Sequence, residues 1–134
     1  NPTIQREVNV SDSIHHVKKM IRRAKWARRE LRDLLHVVED NGKDPFEMMG
    51  SWAGAFGLSQ FIPSSYRAYG RDGDHDGVVD LLNLADATAS IANYMKENGW
   101  KNSSSDSRKK KVIMRYNQSS EYAEAVLSIA KAIL

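Results

Sequence analysis

An all-α (mainly α) fold is predicted by three observations. Apolar residues recur at three- and four-residue spacing over Ser11 to Val38, Leu84 to Asn98 and Ser120 to Leu134. Asn41-Gly42 and Asn98-Gly99 follow the first two stretches as helix stops. Beyond the short Val112 to Met114, no stretch alternates apolar and polar residues as a half-buried strand does. With 134 residues, 41% of them apolar, residues 1–134 are expected to form a single domain with a modest core.

The first helix carries Ile14, Val17, Ile21, Ala24, Leu31, Leu35 and Val38 on one face, interrupted by Arg28; periodicity leaves open a break near Arg22. Beside that face Lys18, Arg22, Lys25, Arg29 and Arg32 form a basic stripe. Its plain reading is a solvated face with Glu30 and Asp33 as partners. Nucleic-acid binding would call for interleaved aromatics, and only Trp26 is there. In the second helix Leu84, Ala87, Ile91, Tyr94 and Met95 are available to a core. Lys101 to Lys111, rich in Ser, Asp and Lys, is expected to be an exposed loop. The last helix is capped by Ser119 or Ser120, with Glu121 and Glu124 at its positive end and Tyr122, Val126, Ile129 and Ile133 facing inward.

Composition excludes several classes. Without cysteine there is no disulfide scaffold and no thiolate metal site. A net charge of +3 is too small to make the whole chain a polyanion binder. No run approaches the roughly 20 apolar residues of a membrane span, and no signal-peptide order is visible. The opening Asn1-Pro2-Thr3, without an initiator methionine, leads us to expect a processed or N-terminally truncated product.

The stretch Gly50 to Asp86 concentrates the chemistry. Its first half sets Gly50, Gly54 and Gly57 among Trp52, Phe56 and Phe61, with Ser51, Ser59 and Gln60 as polar side chains, a composition suited to a wall against a flat polar molecule. Gln60 is hard to explain as packing in such company, whereas Phe61 and Tyr94 can also be core. The second half places Asp72, Asp74 and Asp76 at the first, third and fifth places of an EF-hand-like loop, Gly77 at the sixth, the Val78 carbonyl at the seventh and Asp80 at the ninth. Hard oxygen donors at that spacing favour Ca²⁺. Asn83 stands where the bidentate Glu belongs, and Asp86 can supply the missing carboxylate.

Three blocks, SWAGAFGLSQFIPSSYRAYGRDGDHDG, DLLNLADATASIANYMKENGW and RYNQSSEY, resemble in order those of the MltB-like lytic murein transglycosylases, of glycoside hydrolase family 103 type. The resemblance covers most of the chain from Arg22 onward. It implies a lysozyme-like helical domain of the bacterial cell envelope, periplasmic or secreted, that cleaves the β-1,4 bond between N-acetylmuramic acid and N-acetylglucosamine in peptidoglycan without water. The product ends are 1,6-anhydromuramoyl. By position, Arg22 and Arg23 are similar to the family's paired arginines near the glycan and its peptide stem. Ser51, Gln60 and Phe61 are similar to the floor of its sugar groove. Tyr94, Tyr116, Asn117 and Tyr122 resemble its glycan-contacting and acid-supporting groups, Tyr116 and Ser51 among the latter. Asp72, Asp74, Asp76, Val78 and Asp86 resemble its calcium loop.

One departure bears on activity. The family's catalytic glutamate, acid and then base, belongs to a segment upstream of this sequence, and Glu7, Glu39 and Glu47 lack its surroundings. Cleavage without a positioned proton donor is very slow. The 134-residue chain is therefore expected to be inactive alone, the acid having been removed or being supplied by a separate N-terminal piece. Two alternatives stand beside the enzyme: a noncatalytic peptidoglycan-binding module and a basic helical nucleic-acid binder.

Overall fold

The computed structural model describes residues 10–133, so Glu7, Asn1-Pro2-Thr3 and Leu134 lie outside the described residues. Five helices follow one another: α1 (Val10–Asp40), α2 (Pro63–Tyr69), α3 (Leu84–Glu97), α4 (Asp106–Tyr116) and α5 (Ser120–Ile133). Among these residues no strand forms, and two isolated antiparallel bridges, Gly50 with Phe56 and Phe56 with Phe61, tie the loop between α1 and α2. α1 packs on α2, α2 on α3, and α4 on α5.

α1 is continuous through Arg22 and stops at Asn41-Gly42, where Gly42 takes a φ of +58°. Its apolar stripe is mostly not core. Val37 and Val38 are buried, while Ile14, Val17, Ile21, Leu31 and Leu35, on the face marked by periodicity, are exposed. The physical reason is where its neighbours lie: its side-chain bonds to α2, Glu30 to Ser64 and Asp33 to Arg67, are in its C-terminal half, and Asn41 just past its end bonds Tyr66. Lys18, Arg22, Lys25, Arg29 and Arg32 are exposed along it.

The core gathers Val37, Phe56, Phe61, Tyr66 and Leu81, with Met48, Tyr69, Val79, Tyr94 and Tyr116 packed against it. Burying a side chain such as Phe61 or Leu81 contributes about 1.5–3 kcal/mol. Tyr66 adds a polar clamp: its hydroxyl accepts from Asn41 Nδ2 at 2.8 Å and donates to the Val79 carbonyl at 2.8 Å, joining α1, α2 and the loop before α3. Burial pushes its pKa up.

Lys101 to Lys111 is not an exposed loop throughout. From Asp106 it is α4, which also absorbs the strand-like Val112 to Met114. Arg and Lys are good helix formers, Asp106 suits the positive end, and Val112 and Ile113 bury the inner face. Lys110 with Glu124 and Lys131 with Asp106 then pair α4 with α5. The inward face of α5 is also corrected. Ala123 is fully buried, whereas Tyr122, Ile129 and Ile133 are exposed. Leu84, read as core, is exposed at the start of α3.

Candidate functional site

The loop from Gly50 to Phe61 is built as two successive turns. In the first, Gly54 N–H donates to the Ser51 carbonyl at 2.8 Å, Ser51 N–H to the Ala55 carbonyl at 2.7 Å, and Ala55 N–H to Ser51 Oγ at 3.0 Å. Ser51 thus organises its own turn while remaining exposed. In the second, Gln60 N–H donates to the Gly57 carbonyl at 3.1 Å and Phe56 N–H to the Phe61 carbonyl at 3.0 Å. Gly57 is required there by its φ of +69° and by Leu81, whose Cβ would lie 2.4 Å from a Cβ added at that position.

Gln60 itself takes a φ of +48°, a conformation that non-glycine residues adopt at some cost and that clusters at functional sites. Its Nε2 donates to the Gly57 carbonyl at 2.9 Å, and the side chain stands exposed at the end of the turn. Phe61 has a different place. It is 3% exposed and sits at the centre of an aromatic cluster, with ring centroids 6.4 Å from Tyr69, 5.9 Å from Tyr94 and 6.1 Å from Tyr116. Tyr94 completes that cluster against Tyr69 at 4.8 Å and Tyr116 at 5.5 Å. Around Phe61 these half-buried tyrosines form one aromatic cluster.

Tyr116, at the end of α4, donates its hydroxyl to the Ser59 carbonyl and so fixes the residue before Gln60. Burial pushes its pKa up to about 12, with Tyr122 and Tyr94 raising it further. Asn117, exposed, and Tyr122 follow across the turn into α5, where Tyr122 N–H donates to the capping Ser119 Oγ at 3.1 Å. Arg22 and Arg23 are exposed on α1, Arg23 on the side that faces Trp52 and Gly54 across a groove.

One functional support was missed in the sequence. Ile62 precedes α2 and has no side chain able to cap it; Glu30 does so from α1, its two oxygens accepting Ser64 N–H at 3.0 Å and Ser64 Oγ–H at 2.9 Å. The signal was Pro63-Ser64 opening a helix behind an apolar residue, which leaves the first N–H groups to water or to a distant acceptor.

The acidic loop folds so that carboxylate oxygens of Asp72, Asp74 and Asp86 lie within 4.8 Å of one another. Asp86 is 1% exposed and is held from both sides, by Gly73 N–H at 2.7 Å and Asp80 N–H at 2.7 Å. Gly73 packs so close to α3 that a Cβ there would meet the Ala85 carbonyl oxygen at 2.4 Å. Asp72 accepts His75 N–H and Gly77 N–H, and the Gly77 bond foremost holds its pKa below the usual carboxylate value. Asp76 stands outside the triad and accepts Val78 N–H at 2.8 Å. Asp80 pairs with Lys43 at 3.0 Å, and Asn83 caps α3 through Ala85 N–H while its amide donates to Asp74. Three carboxylates at that proximity can supply part of the roughly six to eight oxygen ligands a calcium ion takes.

Comparison with known proteins bears on the whole arrangement. Membrane-bound lytic murein transglycosylase B of Escherichia coli (strain K12) is 44% identical over 79 residues, 59% of this chain and 22% of that protein. The E. coli lytic transglycosylase SLT35, solved in complex with calcium, superposes with a TM-score of 0.61 at 42% identity, over 63% of this chain and 27% of that one. Soluble lytic transglycosylase SltB1 from Pseudomonas aeruginosa superposes with a TM-score of 0.74 at 28% identity, over 81% of this chain and 57% of that one. The helical fold is therefore that of lytic transglycosylases, and the chain spans less than two thirds of each of these relatives. Residues 3–107 match the family model described as the transglycosylase SLT domain, and this chain belongs to that family.

Proposed function

We propose that this chain forms the glycan-binding wall of a lytic murein transglycosylase, an enzyme of the bacterial cell envelope that cleaves the MurNAc–GlcNAc bond of peptidoglycan and leaves 1,6-anhydromuramoyl ends. The observation that carries the reading is Gln60: an exposed polar side chain on left-handed backbone, next in sequence to Phe61, whose ring packs with Tyr94 and Tyr116. An amide both donates and accepts, as the hydroxyl and acetamido groups of a sugar require. Asn117 offers the same chemistry near Tyr116, and Arg22, Arg23 and Tyr122 complete the proposed contact set.

The proton donor is proposed to lie outside residues 1–134. Glu30 has both oxygens engaged by Ser64 at the start of α2, and Glu39 and Glu47 are exposed near the far end of α1. Tyr116 and Ser51 act in support, ordering the turns around the bond to be cut. Calcium is proposed to bind Asp72, Asp74 and Asp86, with Asp76 and the Val78 carbonyl closing the loop. Its part is structural, since the triad ties the 72–78 loop to α3. The described residues contain no helix long and apolar enough to cross a membrane.

Co-sedimentation with purified sacculi tests the reading. The chain pellets with sacculi and Gln60→Ala does not; retention that ignores Gln60→Ala, or salt-resistant binding to DNA in its place, contradicts it.

A further inference from the structure

The cations around α4 divide into two sets. Lys110 pairs with Glu124, Lys131 of α5 pairs with Asp106, and Lys109 lies over the Trp100 ring, 5.4 Å from its centroid. Arg108, Lys111 and Arg115 belong to the other set. Their three- and four-residue spacing puts them on one face of α4, and with Lys101 they line an open cleft of about 510 Å³ between that helix and the end of α3. All four are exposed, and among the described residues none pairs with a carboxylate. Like charges at this spacing repel one another along a helix, so a bound counter-ion would relieve the face.

We propose that this cleft is an anion site separate from the glycan wall, and that it takes a phosphate group. Charge decides the sign of the ligand, because the four cations share the cleft with one carboxylate, Glu97. Donor chemistry decides its class. Arg115 Nη1 donates to the Asn98 carbonyl at 3.0 Å, which anchors that guanidinium at the cleft and leaves its other N–H groups for a ligand. Arg108 brings a second guanidinium from the same helix face. Such forks match the oxygens of a phosphate two at a time, and Lys101 and Lys111 add point charges. A carboxylate, with a single charge, would leave most of this set unmet, whereas a phosphate monoester carries close to two charges and three strong acceptor oxygens. The group can be carried by a lipid headgroup or by a soluble phosphate compound. None of the cleft residues belongs to the proposed sugar contacts, so the site stands or falls apart from the glycan reading.

Titration of the 134-residue chain with inorganic phosphate at constant ionic strength, followed by backbone amide NMR, tests the site. Saturable shifts should gather at residues 99–101 and 108–115. Arg108→Gln and Lys111→Gln should each weaken binding about tenfold, as loss of one charge-assisted bond does. Their melting temperatures should not change, since both side chains are exposed and unpaired within the described residues. Glu97→Gln should tighten binding by removing the opposing charge, while Lys18→Gln and Glu39→Gln, on α1, should leave it unaltered. Sedimentation with phosphatidylglycerol vesicles, against phosphatidylcholine vesicles, separates the two sources. Retention by the anionic vesicles that Arg108→Gln abolishes assigns the site to a lipid headgroup, and phosphate saturation without retention assigns it to a soluble compound. The proposal is overturned by an absence of saturable shifts with phosphate, by equal shifts with acetate, or by Lys18→Gln weakening binding as much as Lys111→Gln, which would make the effect one of net charge.

Discussion

The hydroxyl of Tyr116 donates to the carbonyl of Ser59, a residue 57 positions earlier, and so ties the end of α4 to the turn that presents Gln60. Tyr116→Phe keeps the ring in its cluster with Phe61 and Tyr94 but removes that bond. We expect a loss of about 1 kcal/mol in denaturant unfolding, and weaker binding to sacculi because the turn around Gln60 loosens. Unchanged stability and unchanged binding would show that the turn holds itself.

The same tyrosine sets a pH dependence. Its folded pKa of about 12 lies above the ordinary value of 10.0, because burial disfavours the phenolate. Stability is therefore fully present below pH 10 and falls as pH rises toward 12, since the unfolded chain releases the proton first. Tyr66 and Tyr94, also raised by burial, add to the slope. Chemical denaturation between pH 9 and about 12 should give a shallower decline in Tyr116→Phe than in the unmodified chain.

Glu30 and Ser64 predict a structural cost without a direct catalytic one. Glu30→Ala leaves Ser64 N–H and Oγ–H without their acceptor at the start of α2 and should destabilise by about 1–2 kcal/mol. Thermal melts of Glu30→Ala and Glu30→Gln check this, with glutamine retaining part of the cap through its carbonyl.

Calcium should stabilise the chain by mass action, by about 2.7 kcal/mol at a concentration a hundredfold above its Kd. Asp74→Asn and Asp72→Asn should abolish the rise in melting temperature that calcium produces. Asp86→Asn should also lower stability in the absence of calcium, because Asp86 accepts Gly73 and Asp80 N–H inside the fold. A melting temperature indifferent to calcium and chelator would remove the metal from the account.

How far the sequence carried these conclusions differs by element. α3 was legible to within a residue at its C-terminal end, because Asn98-Gly99 closes an apolar pattern; its Asn83 cap emerged only in the structure. α4 was not, since its lysines read as solvent-loving while their pairing with Glu124 and the burial of Val112 and Ile113 are tertiary facts. α2 was hidden for a related reason: its cap comes from Glu30, 34 positions away. In α1 periodicity marked the helix but not which part of the apolar face another element covers. Within the site, the odd placement of Gln60 among glycines and aromatics pointed to its exposed turn, and the aspartate spacing pointed to the convergence of Asp72 and Asp74. Asp76 lies apart from that triad because loop closure gives its carboxylate to Val78 N–H.

The central claim is that residues 1–134 supply the glycan wall but not the acid, and mass spectrometry of the soluble products from intact sacculi tests it most directly. The account predicts that the chain alone binds sacculi and releases no 1,6-anhydromuropeptides, because among the described residues Glu30 is engaged by Ser64 and the acid is proposed to come from elsewhere. Abundant 1,6-anhydro products from the chain alone, abolished by Glu30→Gln, Glu39→Gln or Glu47→Gln, would contradict it and identify the acid.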